Sequence, residues 1–115
     1  MILLKKKYRV KDNKEFQEIL QTGKSFANRE LVIYYKENSE QFHFRIGISV
    51  GKKIGNAVTR NKIKRHIREA IHHLEPRIRR QYNIIIIARK PAIHMNTAQI
   101  MKSLSHLFRK QSLFK

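Results

Sequence analysis

Four consecutive isoleucines, at positions 84–87, constrain the fold of this chain more than any other feature. They lie within an apolar segment that runs from Tyr82 to Ala88. A segment without a polar face favours a central strand that is covered on both sides. The rest of the chain must therefore supply neighbouring strands and covering layers.

Periodicity and capping signals predict a short helix near the beginning of the chain. Asp12, with Glu15 three residues later, forms a capping-box pattern before a helix at about 13–22, and Gly23 is a natural end for it. Two flanking apolar residues occupy the positions of a hydrophobic staple, Val10 and Phe16. The residues before this helix, 1–11, form a basic arm.

Two further helices are expected. The first spans about 57–74 and ends before Pro76, with an apolar stripe of Ile63, Ile67, Ala70, Ile71 and Leu74. The last begins at a cap formed by Asn96 and Gln99. Its inner stripe consists of Ile100, Met101, Leu104, Leu107 and Phe108.

Two strands are predicted before the longer helix. Residues 25–35 are apolar or β-favouring, and residues 42–50 alternate, with Phe42, Phe44, Ile46, Ile48 and Val50 on one side. A polar turn at 37–40 separates them, which predicts an antiparallel hairpin. The order α-β-β-α-β-α indicates an α+β fold, and the length suits one domain over residues 1–115.

The charge of the chain points to a polyanionic partner. The formal charge is +18, from 26 basic residues against 8 acidic ones, and after residue 40 only Glu69 and Glu75 are acidic. Nucleic acid is the leading partner class. An anionic membrane is the rival, but no helix pairs a basic face with the aromatic and leucine-rich face of interfacial binders.

Two classes of architecture are excluded by composition. The chain has no cysteine, so neither a disulfide framework nor a thiolate zinc site can form. The apolar residues 1–4 are too few for a signal peptide or a membrane span. We therefore expect a soluble, cytoplasmic protein without a membrane partner.

The helix at 57–74 carries its cations in ordered rows. Arg60, Lys64 and Arg68 border the apolar stripe, whereas Asn61 and Arg65 form the next row outward. Lys62 lies on the far flank with Glu69, which has the i, i+4 spacing to pair with Arg65. Cations in the first turns oppose the helix dipole, so their placement indicates an anionic ligand. An ordinary solvated face is the alternative.

The same region carries a resemblance to a known family. The chain contains Lys52-Lys53-Ile54-Gly55-Asn56-Ala57-Val58, then Arg60-Asn61-Lys62, Lys64-Arg65 and Arg68. This run resembles the signature of the bacterial ribonuclease P protein family, and similar segments occur at 14–16, 47–50 and 82–89. One departure is Lys62, where the family usually has arginine; lysine keeps the charge but loses the bidentate fork.

The resemblance implies a four-stranded sheet and a left-handed β-α-β crossover through the basic helix. It implies a subunit of the ribonucleoprotein that removes the 5′ leader from precursor tRNA. The catalytic RNA of that enzyme would hold the required Mg²⁺, so no cofactor is assigned to the protein. By the same resemblance the RNA-binding motif comprises Lys52, Lys53, Arg60, Asn61, Lys62, Lys64, Arg65 and Arg68. The leader cleft comprises Phe16, Tyr34, Arg60, Asn61, Lys64 and Arg68.

Other interpretations remain open at this point. Phe16 could be a core aromatic residue and Tyr34 could cover the edge of the core. Asn61 could bond its own backbone, and Lys52 and Lys53 could simply be solvated. A ribosomal-type protein or a general RNA chaperone would share the charge pattern. Sequence-specific DNA binding is disfavoured, because the chain has no helix-turn-helix or zinc-finger pattern.

Overall fold

Four strands form one mixed sheet, flanked by three helices, in the computed structural model, which describes residues 5–10 and 12–115. In the described chain the order is α1 (Asn13–Thr22), β1 (Lys24–Ala27), β2 (Leu31–Glu37), β3 (Arg45–Ser49), α2 (Ala57–Leu74), β4 (Tyr82–Ala88) and α3 (Thr97–Lys110). The predicted α+β class and the four-stranded sheet are confirmed. Of the predicted basic arm, residues 1–4 and 11 lie outside the described residues.

The sheet has the order β1-β2-β4-β3, so β4 is central, as the isoleucine run predicts. β4 pairs antiparallel with β2 and parallel with β3. The predicted hairpin between residues 25–35 and 42–50 is therefore wrong, because β4 lies between these strands. The parallel pair needs a crossover, which α2 provides. The left hand of that crossover stays a prediction.

The segment predicted as one strand at 25–35 is in fact a hairpin of β1 and β2. The turn is organised by Asn28, whose Oδ1 accepts from the backbone N–H of Glu30 at 3.0 Å and of Leu31 at 2.8 Å. Asparagine side chains favour such local bonds over continued strand. The Asn28 amide also donates to Ser103 Oγ at 2.8 Å and ties the hairpin to α3.

The helix caps follow the sequence signals, with one difference. The Asn96 and Gln99 pair forms a complete capping box at α3. At α1, Asp12 accepts from the Glu15 N–H at 2.9 Å, but the Glu15 carboxylate lies 3.4 Å from Arg45 Nη1. Only half of the predicted capping box therefore forms, because Glu15 is drawn to the sheet.

One face of the sheet forms the core with α2 and α3; we call it the closed face. Ile33 and Ile86 lie opposite each other on it and are fully buried. The predicted stripe of α2 is buried in full, and α3 buries Ile100, Leu104, Leu107 and Phe108. The remaining member of the α3 stripe, Met101, is half-buried. α1 packs on the opposite face.

Phe42 departs from the predicted strand. β3 begins only at Arg45, and Phe42 is 92% exposed rather than inward with Phe44. The physical reason is the preceding loop: Arg80 Nη1 donates to the carbonyls of Ser39 at 3.2 Å and Gln41 at 2.7 Å. These bonds hold the chain in bends where alternation predicted extended strand.

Candidate nucleic-acid interface

The basic helix begins at a defined cap directly after the glycine-containing loop. Asn56 Oδ1 accepts from the Thr59 N–H at 2.9 Å, and the first turn of α2 has no acidic residue among those described. Lys52 and Lys53 lie in a single 3-10 turn before this cap and are exposed. The loop therefore places exposed cations beside the positive end of the α2 dipole.

The two predicted rows on α2 differ in burial. Arg60, Lys64 and Arg68 are half-buried beside the apolar stripe, whereas Asn61 and Arg65 are exposed. Arg60 Nε is enclosed and, within the described residues, has no hydrogen-bond partner. The inner row is thus oriented by packing, and its charge remains available to a ligand.

The helix cations are not neutralised from within the protein. In the described part of the chain, ion pairs join Lys36 to Glu18, Arg45 to Glu15 and His72 to Glu75, and none involves the motif cations of α2. The possible pairing of Glu69 with Arg65 is not observed. A surface that keeps this much unpaired charge is suited to phosphates.

Glu69 instead belongs to a small polar chain between α2 and α3. Its Oε2 accepts from the Thr97 hydroxyl at 2.9 Å, and Thr97 Oγ1 lies 2.8 Å from His66 Nδ1. Burial is the main influence on the imidazole and lowers the pKa of His66. This chain of bonds occupies the acidic group that could have screened the basic face.

The exposed side chain of Asn61 also remains available. Across the described residues, no hydrogen bond joins this side chain to the backbone, so the local interpretation of Asn61 is wrong. Lys62 is exposed on the opposite flank of α2 from Arg60. The motif is therefore divided between an inner row, an outer row and one outlying lysine.

Phe16 and Tyr34 lie on the face of the sheet opposite the core, which we call the open face. Tyr34, Ile85 and Gly47 are neighbours on adjacent strands and point to this face. Phe16 of α1 covers Gly47: a Cβ added to Gly47 would lie 2.9 Å from Phe16 Cε2. Strands are spaced at about 4.8 Å, so the backbones of Tyr34 and Gly47 are roughly 10 Å apart.

α1 covers only one end of the open face. It is held there by the Glu15–Arg45 contact and by Lys36 Nζ, 2.8 Å from Glu18 Oε1. The hydrogen bond from Lys36, and then its charge, lowers the pKa of Glu18. The next cross-strand row consists of half-buried residues, Ser49, Ile87 and Val32. Beside α1 there is therefore an open strip of sheet flanked by Phe16 and Tyr34.

A cavity of about 220 Å³ joins this strip to α2 at the β3 edge. It brings Phe16 and Arg68 together, as the resemblance implies, over Gly47. The other proposed cleft residues lie outside its lining. Tyr34 is two strands away from Gly47 in the sheet. Arg60, Asn61 and Lys64 lie about one to two turns before Arg68 on α2.

Five residues that line this cavity were not predicted as site residues: Arg9, Val10, Ile46, Gly47 and Ile48. Arg9 and Val10 line it, because the Val10 N–H donates to the Ile46 carbonyl at 3.0 Å and fixes the arm along β3. The apolar character of Val10 was the available signal, although Val10 lies two residues before the Asp12 cap and so one residue earlier than a hydrophobic staple requires. Gly47 also lines it, and its role depends on the close approach of Phe16, which no local pattern reveals.

Two searches of the described residues bear on other classes of site. None of the helices in residues 5–10 and 12–115 is both long and apolar enough to cross a membrane. In the same residues, no three histidine or acidic side chains are grouped so that they could hold a metal ion.

Comparison with known proteins gives one consistent family. The family model described as Ribonuclease P matches residues 4–112. The Ribonuclease P protein component of Oceanobacillus iheyensis is 60% identical over 112 residues, covering 97% of this chain and 93% of that protein.

Solved structures agree with the sequence matches. The RNase P protein of Staphylococcus aureus has a TM-score of 0.85 and 50% identity, covering 94% of this chain and 98% of that one. The RNase P protein of Thermotoga maritima has a TM-score of 0.79 and 28% identity, covering 89% and 96%. With this sheet order, this basic helix and these matches, the chain belongs to the ribonuclease P protein family.

Proposed function

We propose that this chain is the protein subunit that assists the catalytic RNA of ribonuclease P in removing the 5′ leader from precursor tRNA. The observation that carries the proposal is the juxtaposition of two surfaces. Unpaired cations of α2 adjoin, through Arg68, an open strip of sheet that is flanked by Phe16 of α1 and Tyr34 of β2. One surface suits RNA backbone and the other suits unpaired bases.

The inner row of α2 is assigned to the leader. Arg68 already shares a cavity with Phe16, and Arg60 and Lys64 continue the same row along the helix. A single strand lying on the open strip would place its bases against Phe16 and Tyr34 and its phosphates towards this row. Contacts of that kind tolerate many sequences, which would broaden the range of precursor tRNAs accepted.

The outer row is assigned to the catalytic RNA. Asn61 and Arg65 are exposed and point away from the sheet, and the loop cations Lys52 and Lys53 are exposed as well. An asparagine among cations can donate to a phosphate or accept from a ribose hydroxyl. Lys62 would contribute charge alone, since lysine cannot form a planar bidentate contact.

The protein is assigned a positioning role and no catalytic residue. Within the described residues, its two acidic side chains after residue 40 belong to no group of three metal-ligating side chains. Glu69 accepts from Thr97, and Glu75 Oε1 is buried 3.8 Å from His72 without a hydrogen-bond partner in that part of the chain. Mg²⁺ is therefore assigned to the RNA subunit, where it would activate water and stabilise the leaving oxygen. The protein would bind the leader, lower the repulsion between the two RNAs and act in the cytoplasm.

Cleavage of precursor tRNA with leaders of zero to six nucleotides tests this assignment. The protein alone should leave the substrate intact, and at low magnesium cleavage should need both subunits. Affinity of the assembled enzyme should rise with leader length. Cleavage by the protein alone would overturn the proposal, and affinity independent of leader length would favour a general RNA-binding protein.

Two substitutions separate the rows of α2. Arg60→Ala should weaken affinity about 5- to 10-fold only for substrates with a leader, whereas Arg65→Ala should weaken binding of the catalytic RNA whatever the leader. Each loss of a phosphate contact should reduce the slope of log affinity against log salt by about 0.7–0.9. Lys102→Ala, an exposed cation on α3, is the matched control and should leave both slopes unchanged.

A further inference from the structure

Phe42 is an exposed aromatic side chain in an ordered loop. The side chain is 92% exposed, yet the loop before it is fixed by Arg80 Nη1 and by the Gln41 side chain, which donates to the Arg80 carbonyl at 2.9 Å. The Asn38 N–H also donates to the Gln81 carbonyl at 2.6 Å. Four hydrogen bonds thus order the segment before Phe42, and the ring that follows leaves a large apolar surface in water.

The ring borders a cavity with further aromatic walls. The cavity measures about 280 Å³ and is lined by Phe42, His43, Phe44 and Tyr8 among others. Tyr8 stacks on Phe44 with ring centres 4.5 Å apart and an angle of 7° between the rings. Among the described residues, the cavity at Phe42 shares no lining residue with the cavity at Phe16. The arm separates the two cavities, with Tyr8 at the first and Arg9 at the second.

Charge in this cavity is graded from the inside outwards. Arg80 and Lys115 are exposed at its border, and Lys7 Nζ lies 5.0 Å from the centre of the Tyr8 ring. Glu75 lies deeper, with a side chain only 15% exposed. Cations at the border attract a phosphate, while the inner carboxylate repels one. A neutral base inside and a phosphate outside fit this gradient.

We propose that Phe42 and this cavity form a second site for an unpaired nucleotide of RNA, separate from the leader cleft. Paired bases cover their faces by stacking, so an aromatic platform of this kind selects a nucleotide that is splayed out. The proposal rests on the RNA-binding function proposed above but uses none of the cleft residues. The nucleotide would come either from the leader or from a single-stranded segment of the catalytic RNA.

A tryptophan reporter tests the stacking directly. The chain has four tyrosines but no tryptophan, so Phe42→Trp gives a single tryptophan that can be excited selectively. Quenching of this tryptophan on titration with a short unpaired RNA reports contact with a base. Ala98→Trp, at an exposed position of α3, is the control. We expect saturable quenching at position 42 and little at position 98. Equal quenching at both positions, or none at position 42, would overturn the site.

Substitutions at Phe42 then distinguish stacking from simple apolar contact. Phe42→Leu and Phe42→Ala should weaken RNA binding about 5- to 10-fold, which is the lower end of the effect of removing one base–aromatic stacking contact. Phe42→Tyr should bind RNA like the parent. The exposure of the ring predicts an unchanged urea midpoint for all three. Parent-like RNA binding by the leucine variant would contradict the proposal. Sedimentation tests the other use of an exposed ring: if the parent were a dimer and Phe42→Ala a monomer, the ring would contact a second copy of the chain and the proposal would be overturned.

The assembled enzyme identifies the source of the nucleotide. If the leader supplies it, Phe42→Ala should lose affinity only for longer leaders; if the catalytic RNA supplies it, subunit assembly should weaken at every leader length. If Phe42→Ala assembles with the catalytic RNA like the parent and its affinity depends on leader length like that of the parent, this site would be overturned and the proposed function would remain intact. If the affinity of the parent enzyme did not depend on leader length, that result would instead count against the proposed function.

Discussion

The two faces of the sheet are built from alternate residues of the same strands but end in different environments. On β4, Ile86 points to the closed face and is fully buried, whereas Ile87 points to the open face and is half-buried. On β2, Ile33 and Tyr34 divide in the same way. The closed face supplies the burial that stabilises the fold, which leaves the open face available for binding.

The layers that cover the two faces are also held differently. α2 and α3 bury apolar stripes against the closed face, whereas α1 fully buries only Ile19 and is tied to the sheet through two partly exposed ion pairs. Such pairs contribute little to stability. This difference indicates that α1 can shift to accommodate a ligand while the packing of the closed face stays unchanged.

The sharpest test of this comparison is a pair of neighbouring truncations. Ile86→Ala should lower the free energy of unfolding by about 3–4 kcal/mol, because it opens a cavity in the closed face. Ile87→Ala should cost only about 1 kcal/mol, because its side chain is already partly in water. Urea denaturation of both variants measures the difference, and equal losses would show that the two faces do not differ as described.

A smaller effect is expected at the seat of Phe16. Gly47→Ala adds a methyl group 2.9 Å from the end of the Phe16 ring and 3.3 Å from Ile85 Cδ1, so the ring must move. Because both neighbours are ends of flexible side chains, we expect about 1 kcal/mol of destabilisation. The affinity gained from a leader should fall about 5-fold, since Phe16 would lose its seat.

Gly51→Ala is the matched control for that substitution. A Cβ at Gly51 has no atom of residues 5–10 or 12–115 within 4 Å, and the Gly51 φ of −69° suits any residue. It should leave both the urea midpoint and the leader-dependent affinity unchanged. A loss of leader affinity as large as that of Gly47→Ala would show that the loop, and not the Phe16 seat, is responsible.

The smallest effect concerns pH and the covering layer of the closed face. Because burial lowers the pKa of His66 below its ordinary value of 6.5, the unfolded chain takes up a proton before the folded chain does. The nearby Glu69 opposes this shift, whereas Arg65 and Lys62 add to it. The free energy of unfolding should therefore fall as the pH drops below 6.5, until His66 is protonated in the folded state as well.

Urea midpoints at pH 7.5 and 5.5 would measure this loss. It should be smaller in His66→Gln than in the parent, and His94→Gln, an exposed histidine, should behave like the parent. An identical loss in the parent and in His66→Gln would remove His66 as its cause.

Local signals predicted the helices because each carries its own start and stop. The predicted bounds of α1 and α2 match the structure, and Asn96 and Gln99 form the expected cap of α3. The partner of β3 could not be predicted in this way. It is β4, which comes more than thirty residues later in the chain, and strand pairing over that distance leaves no local pattern.

The site was predicted unevenly for the same reason. The two rows of α2 follow from helical geometry, and their different burial agrees with it. The seat of Phe16 on Gly47 and the docking of Val10 beside β3 join residues that are remote in sequence. Phe42 was placed inward because alternation does not register the hydrogen bonds by which Arg80 bends the loop.

The central position of β4 also has a consequence for folding. β2 and β3 do not pair with each other. The β1–β2 hairpin and β3 are therefore joined into one sheet only when β4, residues 82–88, is present. During synthesis the basic helix is made before that strand and has no complete sheet on which to pack. In a nascent chain the inner row of α2 should therefore be held in place late. Tight binding of RNA should be delayed until most of the protein has left the ribosome.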